Sequence, residues 1–172
     1  MTTQQAVWIT FAYAVELAGV IYFTRAMPRR VGGAVAGGLA GGLLFIGMVA
    51  LGEMLAWWHW SYPVPFTVGF AVLAYGGIAV SLIPLYLISW RVARRFGGPG
   101  LAFAVAFAAG VGPLRDFVLV AYLPEWGGFS PGAAPVIADA ATYAAGLAVG
   151  HGVMRLIAGP ARDDRLARQP PR

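Results

Sequence analysis

Few residues in this chain are able to do chemistry, and they lie in unusual surroundings. Arg115 and Asp116 are adjacent inside Gly110-Val-Gly-Pro-Leu-Arg-Asp-Phe-Val-Leu-Val-Ala-Tyr122, an otherwise apolar run. Glu16, Glu53 and Asp139 sit inside three further apolar runs. Ionisable groups in such runs are costly, and they normally face a protein interior or a wet cavity that serves a function. One Arg does not balance four carboxylates. The surplus acid must hold a proton, bind a cation or face water. A carboxyl held protonated suits proton donation, and an ionised neighbour suits proton removal. Glu53, Asp116 and Asp139 are the acid–base candidates, with Arg115 keeping one of them ionised. Glu16, Tyr13, Tyr75 and Tyr143 are candidates for holding a substrate, and Trp57 offers an aromatic face to a developing cation.

Other chemistries find less support. The chain has no Cys, hence no disulfide, no thiolate nucleophile and no Cys-ligated metal. His59 and His151 are distant in sequence, so no metal and no cofactor is expected. Each reads as an interfacial residue. Ser81 and Ser89 have no His nearby in sequence. The Gly-rich stretch after Val31 is followed by no Gly-Lys-Ser/Thr and is no phosphate loop. The net charge of +5 and pI near 10.1 come from short groups of Arg beside apolar runs. That pattern orients a membrane protein; it is not a nucleic-acid-binding stripe.

The elements that must position these groups follow from composition. Apolar residues make up 59% of the chain, charged residues 11%, and mean hydropathy is +0.72. The expected fold is all-α: a polytopic transmembrane bundle in one domain, residues 1–158, with a disordered cytoplasmic tail over 159–172. Five spans are expected, at about 6–24, 31–58, 66–90, 101–122 and 135–157. Pro63 and Pro65 break the chain after the second, and Gly97-Gly-Pro-Gly100 turns it after the third. Kinks are expected at Pro84 and Pro113. Gly33, Gly37 and Gly41 form one small-residue row, and Gly38 and Gly42 another. Such rows admit a neighbouring backbone, either internally or from a homo-oligomer or larger complex.

With five spans, Arg25, Arg29, Arg30, Arg91, Arg94, Arg95 and every tail Arg fall on one side, giving N-terminus out and C-terminus in. At 1.5 Å per residue, Glu53, Arg115–Asp116 and Asp139 then share a layer roughly 6 to 11 Å below the outer surface, with Glu16 nearer the midplane. Sequence neighbours point about 100° apart on a helix, so Arg115 is expected to pair with Glu53 or Asp139 rather than Asp116. The absence of Lys and Asn beside abundant Ala, Gly and Pro suggests a GC-rich bacterium, hence the bacterial cytoplasmic (inner) membrane.

Gly52-Glu53 followed by Trp57-Trp58, then Gly112-Pro-Leu-Arg-Asp116, then Ala138-Asp139 give the chain a resemblance to small bacterial five-helix membrane proteins of unassigned activity. In its use of carboxylates from several spans it is also similar in style to membrane-embedded carotenoid and terpenoid cyclases. No site residue carries over from either. Three functional expectations result. The first is an acid–base enzyme acting on a lipid-soluble, isoprenoid-like substrate. The second is a small proton- or cation-coupled transporter. The third is a non-catalytic subunit of a larger membrane complex.

Overall fold

A computed structural model describes residues 3–61 and 68–161. Tyr62, Pro63, Pro65 and the expected start of the third span at Phe66 lie outside the described residues, as does the tail from 162 to 172. Among the described residues there are four long helices: α1 (Thr3–Thr24), α2 (Pro28–Met54), α3 (Val68–Tyr122) and α4 (Ala133–Ala158). Each is long and apolar enough to cross a membrane. Two three-residue strands, β1 (Trp58–Trp60) and β2 (Gly127–Phe129), pair antiparallel with His59 opposite Gly128. This ribbon was not expected from the sequence.

α3 is not one straight rod. Gly97 has φ 65° and ψ −146°, a left-handed conformation that glycine adopts without a Cβ penalty. Phe70 and Leu119, one on each side of this break, line the same cavity. In an unbroken helix they would lie about 70 Å apart. The chain therefore folds back at Gly97, and both arms of α3 contribute to the core. Pro84, Pro99 and Pro113 all sit within helical backbone, and the non-helical geometry in α3 is at Gly97.

α2 begins with Pro28, whose missing N–H is no loss in a first helical turn. It ends at Met54, short of the expected Trp58. Ala56 turns the backbone with φ 54°, and the indole N–H of Trp58 donates back to the Val49 carbonyl at 3.1 Å. The Trp58 ring lies over Gly52, where any Cβ would collide with it. The stretch expected to stay helical as far as Trp58 is thus folded over the end of α2.

The glycine rows bind the bundle together. A Cβ on Gly33 would sit 3.0 Å from the Met154 carbonyl oxygen, and one on Gly38 would sit 2.7 Å from that of Ala79. Gly37 faces the Gly150 backbone and Gly41 the Tyr86 hydroxyl. Because lipid gives apolar helices no hydrophobic drive to associate, backbone approach and van der Waals packing must hold them. The surface at Gly33, Gly37 and Gly41, considered above for an external partner, is taken by α4 and by Tyr86 of the same chain. Tyr86, fully buried, donates to the Gly146 carbonyl at 3.1 Å.

At the Pro28 end, Arg30 is 1% exposed and donates to the carbonyls of Ala158 (3.2 Å) and Gly159 (2.9 Å). It caps the negative end of the α4 dipole and lies 5.5 Å from the Trp90 ring. α1 packs chiefly on α3 and leaves Trp8, Phe11, Val15 and Phe23 exposed.

Candidate functional site

The cavity that the two arms of α3 share has a volume of about 400 Å³ and lies toward the Met54 end of α2. Its wall is mostly apolar and aromatic: Phe45 from α2, Trp58 and Trp60 from β1, Phe70 from the first arm of α3, and Trp126 and Phe129 from the β2 segment. The ribbon is what brings these last residues over the bundle. Phe129 contacts Trp58 at 6.0 Å and Trp60 at 6.1 Å between ring centroids, and it stacks on Phe117 at 4.1 Å. The loop anchors that fix the ribbon are polar. Glu53 Oε1 accepts from the Trp60 backbone N–H at 3.2 Å, and the Ser130 N–H donates to the Trp57 carbonyl at 2.9 Å.

A polar chain crosses one side of this cavity and links three helices. Arg115 donates through Nη2 to the Tyr13 hydroxyl at 2.8 Å and through Nη1 to the Tyr143 hydroxyl at 3.5 Å. Tyr143 in turn donates to Asp116 Oδ2 at 2.8 Å. The Arg115 Nε lies 3.7 Å from Asp116 Oδ1, with side-chain exposures of 50% and 14%. The Tyr143 ring is held edge-on to Phe45 at 5.1 Å and rests against Gly112, where a Cβ would strike it. The small residue at position 112 is therefore what lets the Tyr143 hydroxyl reach Asp116.

Asp139 stands one helical turn before Tyr143 and is 7% exposed. Its Oδ2 has no hydrogen-bond partner among the described residues, and neither does the buried Trp126 Nε1. Both residues line the cavity. Burying an unpaired polar atom typically costs about 1–3 kcal/mol. Two such atoms on residues lining one cavity are unusual, because nearly all buried polar groups find partners.

Of the sequence candidates, Tyr13, Arg115, Asp116, Asp139 and Tyr143 meet here. The others do not. Glu53 holds the ribbon. Tyr75 donates to the Leu39 carbonyl at 2.9 Å and packs on Gly42. Trp57 contacts Trp58, which lines the cavity in its place. Glu16 is exposed on α1, one turn past Tyr13, and is not part of the cavity wall. The expected pairing of Arg115 with Glu53 or Asp139 is also not found: its ion pair is with Asp116. The 100° separation applies to the Cα–Cβ directions. The long Arg side chain curls back over its own helix, where Tyr13 and Tyr143 fix its far end.

Sequence spacing also concealed a second pair. Ser89 Oγ lies 2.8 Å from His151 Nδ1, and both are buried, so His151 is not an interfacial residue. Ser89 also donates to the Tyr86 carbonyl at 3.0 Å, and neither member of the pair lines the cavity. Trp58, Trp60, Trp126 and Phe129 could have been foreseen as a group from their aromatic density beside Pro and Gly. Their convergence depends on the β1–β2 pairing, for which three-residue strands leave no readable alternation. Comparison of the chain with protein-family models, with curated proteins and with solved structures gives no match.

Proposed function

We propose that this integral membrane protein is an acid–base enzyme acting on a lipid-soluble, isoprenoid-like substrate held in the cavity. The observation that carries the reading is the buried carboxyl of Asp139, whose Oδ2 has no partner among the described residues, on a residue lining an aromatic cavity beside a second carboxylate already engaged by Arg115 and Tyr143. The two acids have different surroundings, which is how paired carboxyls come to divide the roles of donor and acceptor. Asp139 delivers a proton to a substrate double bond. The cation formed is stabilised by the faces of Trp58, Trp60 and Phe129. Asp116 receives a proton from a neighbouring carbon, and the two acids are restored by proton exchange. Isomerisation or cyclisation by this route needs no co-reactant, because one proton enters and one leaves.

The same reading places the protein in the bacterial inner membrane with five crossings, the two arms of α3 counting as separate spans. Three ends support this. Arg29 and Arg30 at the start of α2 reach the carbonyls at the end of α4, and Arg30 also meets Trp90 near the end of the first α3 arm. These Arg-bearing ends face the cytoplasm by the positive-inside rule, which puts the N-terminus and the ribbon outside.

Two experiments test the reading. The purified protein is incubated in D₂O with an isoprenoid-rich lipid extract, and products are followed by mass spectrometry. Solvent deuterium should enter a lipid species with the native protein and fall at least tenfold with Asp139→Asn or Asp116→Asn. Equal incorporation by both variants would end the assignment. Because the chain has no Cys, single cysteines at Gly98 and Gly132 report topology directly. A membrane-impermeant thiol reagent should label Gly132→Cys and spare Gly98→Cys in spheroplasts. The reverse pattern, or labelling of both, would refute the five-span arrangement.

A further inference from the structure

A second concavity lies at the end of the bundle away from the ribbon, where the first arm of α3 approaches Gly97. It is an open cleft of about 540 Å³ lined by Arg91, Val92, Arg94, Arg95 and Phe96. Positions 91, 94 and 95 follow the i, i+3, i+4 spacing, so three guanidinium-bearing chains rise from one helix face. The Arg95 guanidinium carbon lies 5.3 Å from the Phe96 ring centroid, which sets charge and ring side by side. Like charges this close repel one another unless an anion joins them. Among the described residues no carboxylate joins Arg91 and Arg95. Glu53 holds the ribbon, Glu125 precedes it, Asp116 and Asp139 line the aromatic cavity, and Glu16 lies near Arg115.

The position of the cleft along the helix fixes the class of anion. The stretch from Val68 to Trp90 carries no charged residue, and Arg91 follows it directly. The end of a membrane-crossing stretch is the level of the lipid phosphates. Guanidinium groups bind phosphate oxygens through paired N–H donors. Phe96, 59% exposed, offers an acyl chain an apolar contact that a free phosphate cannot use. Arg29, Arg30 and Arg155 belong to the same end, so its field is positive and draws anions in.

We propose that this cleft binds the phosphate of an anionic phospholipid, held by Arg91 and Arg95 with Arg94 alongside, and its acyl chain against Phe96. Basic clefts at the membrane surface take anionic head groups by this chemistry. The site is separate from the aromatic cavity and stands whether or not that cavity is catalytic.

The test uses the full-length protein in a neutral detergent. Dioleoyl phosphatidylglycerol or dioleoyl phosphatidylcholine is added, and bound lipid is counted by native mass spectrometry. Salt of about 0.15 M confines the readout to charges within about 8 Å of the lipid. Phosphatidylglycerol should bind at least about tenfold more tightly than phosphatidylcholine. Arg91→Gln with Arg95→Gln should weaken phosphatidylglycerol about twentyfold, at about fivefold per arginine, and leave phosphatidylcholine within about twofold. Arg91→Lys with Arg95→Lys keeps the charge, loses the planar fork and should fall between native and the Gln pair. Arg29→Gln with Arg155→Gln removes equal charge from the same end outside the cleft and should cost at most about twofold. Equal weakening by the two Gln pairs overturns the site, since a general field would then explain binding. Equal affinity for the two lipids overturns it as well. Inorganic phosphate in large excess, at constant ionic strength, should leave phosphatidylglycerol bound. Its displacement would make a free anion the ligand and overturn the lipid assignment.

Discussion

Replacing Tyr143 by Phe isolates a single hydrogen bond at the centre of the site. The ring stays, so its edge contact with Phe45 and its seat on Gly112 are kept. The hydroxyl goes, and with it the 2.8 Å bond to Asp116 and the weaker 3.5 Å bond from Arg115. Asp116 is left only 14% exposed, with one guanidinium contact at 3.7 Å. A hydrogen bond to a charged group is worth about 1.5–3 kcal/mol in soluble proteins. Interhelical hydrogen bonds in a bilayer average about 0.6 kcal/mol and reach about 1.7. The bond from Tyr143 joins α4 to the second arm of α3 and ends on a mostly buried carboxylate, so the upper part of the bilayer range applies. We expect a loss of about 1–2 kcal/mol, read from unfolding of the protein by SDS in mixed micelles. Asp116→Leu also strips Arg115 of its ion pair, so the bond is read from the coupling between Tyr143→Phe and Asp116→Leu, expected at about 1–2 kcal/mol. A coupling below about 0.5 kcal/mol in this double-mutant cycle would mean that the bond does not organise the site.

Gly38→Ala puts a Cβ 2.7 Å from the Ala79 carbonyl oxygen and should cost about 1–3 kcal/mol through forced separation of α2 and α3. Gly47→Ala on the same helix meets nothing within 4 Å and should be neutral or gain up to about 1 kcal/mol, so equal melting shifts for the two would contradict the packing described. Arg30→Met removes the donors to Ala158 and Gly159 and should destabilise by about 2–3 kcal/mol, partly restored by Lys; unchanged hydrogen exchange at the end of α4 would count against the cap. Glu53→Leu releases the Trp60 amide, so hydrogen exchange across Trp58–Trp60 and Gly127–Phe129 should speed up at least tenfold while exchange in α4 stays slow.

Much of the architecture was legible in the residues themselves. Long apolar runs can satisfy their backbone polar groups in lipid only as helices, so run length and the flanking Arg, Pro and Gly located α1, α2 and α4 to within a few residues. The turn at Gly97 was readable because a Gly-Gly-Pro-Gly cluster interrupts an otherwise continuous run. Tyr13, Arg115, Asp116, Asp139 and Tyr143 could be named as candidates from the residues alone, and those five line one cavity.

The fate of Glu16, Glu53, Tyr75 and Trp57 was decided only by the tertiary structure. Depth along a helix follows from the sequence. The azimuth at which a side chain points depends on where the neighbouring helices stand. Glu16 lies close enough to Arg115 to act on its charge, yet it stays exposed on α1 and outside the cavity wall. Glu53 lies near the ribbon and is engaged there, since β1 turns back over the end of α2. The partner of Arg115 depended on two tyrosines from other helices that fix a flexible chain against its neighbour. Ser89 and His151 lie 62 positions apart and touch only because Gly37, Gly41 and Gly150 let α2, α3 and α4 approach closely. The sequence by itself determined which segments become helices and how far along each helix a polar group stands. Helix–helix contact, made through glycine and closed over by a six-residue ribbon, determined which of those groups share a cavity.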